Sequence, residues 1–252
     1  MRAALAFLTA FGPGRAATPT PRTLDWFPLV GAVIGLAVGG VWWAADRIWA
    51  PIVAAGIAVA ADLALTGCLH FDGLADTADG LLAPMSRARR LAAMRDPAIG
   101  AFGAIAVGIV LVLRFGAFAA TTAAPLVIAA LWCASRTAMC VIVATLPYAR
   151  SEQGGLVTAF MGSTGGSGRS AGRERRARVR WLAPVVIGLA LAVALAILGW
   201  GLHGLIAVAA GAVAAAAVAL LARARIGGFT GDVLGAAGVL GETVGLLALA
   251  AR

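Results

Sequence analysis

Seven apolar stretches, at 26–45, 51–66, 99–120, 126–146, 181–200, 205–221 and 233–251, restrict the solvent in which this chain can fold. Most of them approach the ~20 residues that a helix needs to cross the hydrocarbon of a bilayer. Inside that hydrocarbon every backbone amide must be satisfied within the segment, so such stretches become helices. The second stretch is short unless it runs on into the acidic residues that follow it. With 62% hydrophobic and 12% charged residues and a mean hydropathy of +0.96, the chain lies far from a soluble globular composition. The expected architecture is all-α, a polytopic integral membrane helical bundle of about seven transmembrane helices.

Arginine orients the bundle. The net charge of +9 owes nothing to lysine, which the sequence lacks. Arginines cluster at 2–22, 87–95, 150–180 and 223–225, whereas the alternate connections hold Arg47 or no charge. By the positive-inside rule the rich set is cytoplasmic, with the N-terminus inside and the C-terminus outside. Arginines spaced between spans set topology, so they do not point to a nucleic-acid partner. Segment 1–27 reads as an N-terminal interfacial piece with no cleavable signal peptide, and 147–180 as a flexible, arginine-rich cytoplasmic loop around the Gly/Ser stretch 162–168. The three cysteines form no spaced pair and read as small buried hydrophobes.

Against this background the stretch 70–80 stands apart, because three of the chain's eleven acidic residues fall in it. In a helix Asp72, Asp76 and Asp79 occupy i, i+4 and i+7 and share an arc of roughly 60°. Carboxylates held that close repel one another unless a cation neutralises them. All-oxygen ligation favours Mg²⁺, Mn²⁺ or Ca²⁺ over zinc. Gly73 and Gly80 each follow an aspartate, which suggests close approach of a bulky group such as a phosphate. A solvated helix face or a helix cap is the alternative.

Other polar groups lie in apolar surroundings. Asp232 opens the last span within a glycine-rich run, Gly227 to Gly235, on the same side as the acidic stripe. It reads as a second contributor to the site or as a helix cap. Arg114 and Arg136 fall inside spans, where each needs a partner or a functional reason, and Arg136 is expected to face the acidic site. Asp62, Asp96 and His70 are candidates for structural pairing or for chemistry, and His203 lies at the opposite face.

The chain resembles the adenosylcobinamide-GDP ribazoletransferase (cobalamin synthase) family. The most specific match runs from Thr66 to Gly80, followed by Arg89-Arg90-Leu91, Met94-Arg95-Asp96 and Ile99 to Gly103. Leu8-Thr9, Phe27 to Gly31, Ser135-Arg136, Gly227 to Asp232 and Gly235-Ala236 complete it in order. Cys68 stands where a glycine is usual, and Arg95 and Arg114 where lysine is common. The resemblance implies a single membrane-embedded catalytic domain over 1–252, in the cell inner membrane, with its site on the cytoplasmic side. The implied reaction joins adenosylcobinamide-GDP to α-ribazole or its 5′-phosphate, with Mg²⁺ required and GMP released.

On the matching positions, Asp72, Asp76, Asp79 and Asp232 are implied as metal ligands and catalytic groups, with His70 as a further catalytic group. Gly73, Gly80, Arg90, Arg95, Arg136, Gly228, Thr230 and Gly231 are implied as substrate contacts. An ion-coupled transporter would instead show repeated halves and helices broken at the midplane. A CDP-alcohol phosphotransferase proper would need an Asp-Gly-Ala-Arg spacing that is absent where Asp76 precedes Thr77.

Overall fold

Proline and glycine set the helix boundaries that an apolar pattern leaves vague. Pro28, Pro51 and Pro125 each sit in the first turn of a helix, where a missing amide costs nothing. The computed structural model describes residues 1–10, 20–150 and 171–251, and these form nine α-helices with no strand beyond an isolated bridge between Tyr148 and Phe229. They are α1 (Arg2–Leu8), α2 (Phe27–Asp46) after a 3₁₀ turn (Pro21–Trp26), α3 (Pro51–Thr66), α4 (Leu69–Leu82) and α5 (Arg87–Ala93). Then come α6 (Ala101–Ala120), α7 (Pro125–Thr145), α8 (Ala171–Ile226) and α9 (Gly231–Ala250).

Four of these, α2, α6, α7 and α9, are each long and apolar enough for one crossing. The apolar part of α8, Leu182–Ile226, has 45 residues, about twice what a bilayer needs. It breaks at Trp200 and Gly201, whose backbone leaves the helical region, and the chain folds back so that Gly204 packs on the carbonyl of Ala196. Its first leg runs antiparallel to α7, with Gly188 against Thr137 and Gly199 against Val127. The second runs antiparallel to α9, where Gly211 packs on Gly241. The two legs therefore account for the expected spans at 181–200 and 205–221. The Gly/Ser stretch 162–168 lies outside the described residues, but the backbone is helical from Ala171 onward, so the arginine-dense end of the expected loop belongs to α8.

The remaining crossing is bent. α3 ends at Gly67 in the left-handed conformation (φ +59°), Cys68 follows in the same region, and α4 leaves at 89° to α3. The sequence leaves the second span short unless its helix continues into the acidic stretch; in the structure that stretch is a separate helix turned across the end of the bundle. By alternation the starts of α6 and α9 and the ends of α7 and α8 meet at the end where α4 and α5 lie, and that end carries Arg87, Arg89, Arg90, Arg95, Arg150, Arg223 and Arg225.

Candidate active site

The turn at Gly67 and Cys68 lays α4 beside α9. Gly73 makes the contact possible: a Cβ there would stand 2.9 Å from the carbonyl oxygen of Asp232. This closeness brings Asp232 to the acidic helix, although the two are far apart in sequence. Asp72 is exposed, and Asp76, Asp79 and Asp232 are half-buried. Asp72 and Asp76 line a cleft of about 200 Å³ with Ala75, Arg95, Asp96, Pro97 and Ile99. Asp96 accepts a hydrogen bond from the amide of Ala98 at 3.0 Å, which shapes the turn at the cleft's rim.

The four aspartates have different surroundings. Asp79 accepts the Gly100 amide on Oδ2 at 2.7 Å and the Gly103 amide on Oδ1 at 2.9 Å, so both its oxygens serve the N-terminus of α6. Asp232 Oδ2 takes Arg150 Nη2 at 3.0 Å and the Thr230 hydroxyl at 3.2 Å. No donor among the described residues reaches Asp72 or Asp76. Accordingly, no three His, Cys, Asp or Glu side chains among the described residues form a ready-made metal centre. Two free carboxylates with a third across the helix contact are still a hard-oxygen donor set suited to Mg²⁺.

Several residues expected to touch substrate have structural duties. Gly73 and Gly80 give room to protein, the former to Asp232 and the latter to Met94 of the turn after α5. Arg90 is buried and donates to the carbonyls of Gly80 (2.9 Å) and Leu81 (2.7 Å), closing the C-terminus of α4. Gly228 lies against the carbonyl of Pro147, and Thr230 caps α9 by accepting the Val233 amide at 3.3 Å, with Gly231 opening that helix. His70 is buried on the side of α4 away from Asp72, against Gly235 of α9. Of the expected arginines, Arg95 alone lines the cleft.

Arg136 does not face the acidic site. It is buried in the bundle, 1% exposed, and pairs with Glu242 and with Ser135 Oγ (2.6 Å). The other oxygen of Glu242 takes Arg114 Nη2 at 2.6 Å, and Arg114 Nη1 pairs with Asp62 Oδ2 at 2.5 Å. Trp132 donates to Asp62 Oδ1 at 3.1 Å, and Arg114 Nε donates to Thr243 at 2.8 Å. Four charges, two of each sign, thus join α3, α6, α7 and α9. A guanidinium in hydrocarbon is tolerable only with such partners. Glu242 follows Asp232 inside an apolar span, so like Arg114 and Arg136 it needs a partner, but nothing in the sequence shows its pairing with them. Arg150, one arginine of many in its loop, carries no signal of its own.

These features define a polytopic helical membrane protein with a carboxylate- and arginine-lined cleft at one end of the bundle. The chain belongs to the cobalamin-5-phosphate synthase family, whose model matches residues 1–250. A protein of Pseudomonas paraeruginosa named adenosylcobinamide-GDP ribazoletransferase is 36% identical over 256 residues, covering 98% of this chain and 96% of the relative. Proteins of the same name from Chlorobaculum tepidum (38% over 244 residues, 95% and 90%) and Citrobacter koseri (36% over 233 residues, 90% and 87%) are also similar. No solved structure matches the chain.

Proposed function

We propose that this protein is an adenosylcobinamide-GDP ribazoletransferase that works in the cell inner membrane with its cleft on the cytoplasmic side. The observation that carries this is the pair Asp72 and Asp76, unpartnered by the described residues and facing a cleft, in a chain that the family's model matches over residues 1–250. The arginine-rich end of the bundle supports the sidedness.

In the proposed reaction a ribazole hydroxyl oxygen bonds to the phosphorus that carries the cobinamide, and the bond from that phosphorus to the GMP oxygen breaks. The hydroxyl proton passes to a carboxylate of the cleft, Asp72 or Asp76. Mg²⁺, held by these two with Asp232 close by, would supply charge neutralisation of the diphosphate and of the leaving phosphate. Arg95 adds positive charge at the cleft wall. Asp79 enters as the group that fixes α6 against α4, and His70 and Arg136 through the helices they pack.

The test is direct. Purified protein in lipid, given adenosylcobinamide-GDP, α-ribazole and Mg²⁺, should release GMP with formation of the joined corrinoid, and chelation of the metal should stop it. A folded protein that releases no GMP under these conditions excludes the reading.

A further inference from the structure

Among the described residues Arg150 is the cation that pairs with Asp232, and its hydrogen bonding there is incomplete. A single nitrogen, Nη2, serves both Asp232 Oδ2 (3.0 Å) and the carbonyl of Met94 (3.1 Å), while the buried Nε–H has no partner among the described residues. A guanidinium presents five N–H groups in a planar fork, and that fork matches phosphate oxygens. Arg150 also reaches the phenol of Tyr148, and its Nε–H is left without an acceptor among the described residues.

The backbone that carries Arg150 is tied down. The Phe229 amide donates to Pro147 O at 3.0 Å, and the Ala149 amide donates to Phe229 O at 2.9 Å. Arg87 adds bonds to Ile226 O (2.8 Å) and Ala149 O (3.2 Å), and Tyr148 packs its ring 5.6 Å from that of Phe229. Residues 147–149 therefore share one short platform with Thr230 and Asp232. That platform holds the backbone of Arg150 beside Asp232.

We infer that Arg150 is a transferable counter-ion. It neutralises Asp232 while the cleft holds no diphosphate, and it moves to a phosphoryl oxygen when a diphosphate enters, which leaves Asp232 to the cation. This rests on the functional reading above. The exchange keeps the cluster balanced at each stage, since Asp232 never faces Asp72 and Asp76 without either Arg150 or a metal. Arg150 is a binding residue in this account, not a latch.

Tyr148 allows a test, because it is the chain's one tyrosine, and Arg150 acts on its phenol, opposing the rise in pKa that burial causes. Full-length protein carrying 3-fluorotyrosine gives one ¹⁹F resonance, which is followed while guanosine diphosphate and Mg²⁺ are added. In the parent protein the resonance should move with diphosphate. Asp232→Asn, which frees Arg150, should move it the same way before any diphosphate is added. Arg150→Gln should weaken diphosphate binding at least ~10-fold, the loss expected for charge-assisted bonds. If that variant does not fold, Arg150→Lys carries the same test, since it keeps the charge and loses the fork. Diphosphate affinity within twofold of the parent in the folded variant would make Arg150 a latch and overturn the inference while the functional reading stands. A folded parent protein that binds no diphosphate overturns both.

Discussion

Asp79 holds Gly100. The carboxylate on α4 accepts the amide that opens α6 at 2.7 Å, and the Gly103 amide fills its other oxygen. This is an N-cap supplied by a different helix, so it welds α4 to α6 as well as satisfying two orphan amides. Asp79→Ala should therefore cost about 1–2 kcal/mol of stability, the range for removal of a strong cap. Thermal unfolding in detergent checks this, and turnover should fall in step with the folded fraction.

Asp72 and Asp76 should behave in the opposite way. Neither carries a bond from the described residues, so Asp72→Asn at the exposed site should change stability by no more than about 0.5 kcal/mol, while Asp76→Asn should raise it, because burial and the neighbouring Asp232 and Asp72 carboxylates already disfavour the charge of Asp76. Each should lower GMP release by at least ~100-fold, the usual loss for one well-placed electrostatic group. Normal turnover in both variants would remove the pair from the chemistry.

Asp232 sits between these cases. Asp232→Ala should slow turnover at least ~100-fold if the carboxylate meets the metal and substrate. A purely structural partner of Arg150 and Thr230 would instead show a stability loss of about 1 kcal/mol with near-normal rate. Rate and unfolding midpoint measured on one preparation separate the two.

The charge network in the bundle predicts the largest stability effect. Glu242→Gln leaves Arg114 and Arg136 facing one another with Asp62 as the sole acid, and breaking such a buried pair costs about 3–5 kcal/mol. Adding Arg136→Met to that variant should cost less than Arg136→Met does alone, because the two residues share the interaction. Denaturation of the four proteins in one detergent gives the cycle.

Cys68 offers a stabilising change. Its φ of +59° lies in the left-handed region, which disfavours any residue with a Cβ by roughly 1–2 kcal/mol. Cys68→Gly should raise the unfolding midpoint by the equivalent of up to ~1 kcal/mol, after allowing for the greater freedom of glycine in the unfolded chain. An unchanged or lower midpoint would mean that the bend at α4 is held by something other than this residue's backbone.

How much of this was legible in sequence differs by kind of information. The phase of Asp72, Asp76 and Asp79 follows from 100° per residue, and the structure keeps Asp72 and Asp76 on the cleft. The two crossings inside one assigned helix were also legible, since apolar length divided by bilayer thickness requires a break near Trp200. Partners were not. Periodicity gives the face of a helix on which Arg136 lies but not the helix that comes to meet it, and Glu242 is 106 residues away. The cap at Asp79 was hidden for a different reason: its donors are main-chain amides, which leave no mark in the residue types.

The network of Asp62, Arg114, Arg136 and Glu242 also has a meaning in the time order of synthesis. Asp62 is made before Arg114, so the first arginine of the network enters the membrane with an acid already present, whereas Arg136 precedes its acid and waits for α9. A chain cut short before α9 carries two guanidinium groups and one carboxylate in its interior. Of the four, Glu242 is made last, so the interior charge comes into balance only when α9 packs against α6 and α7.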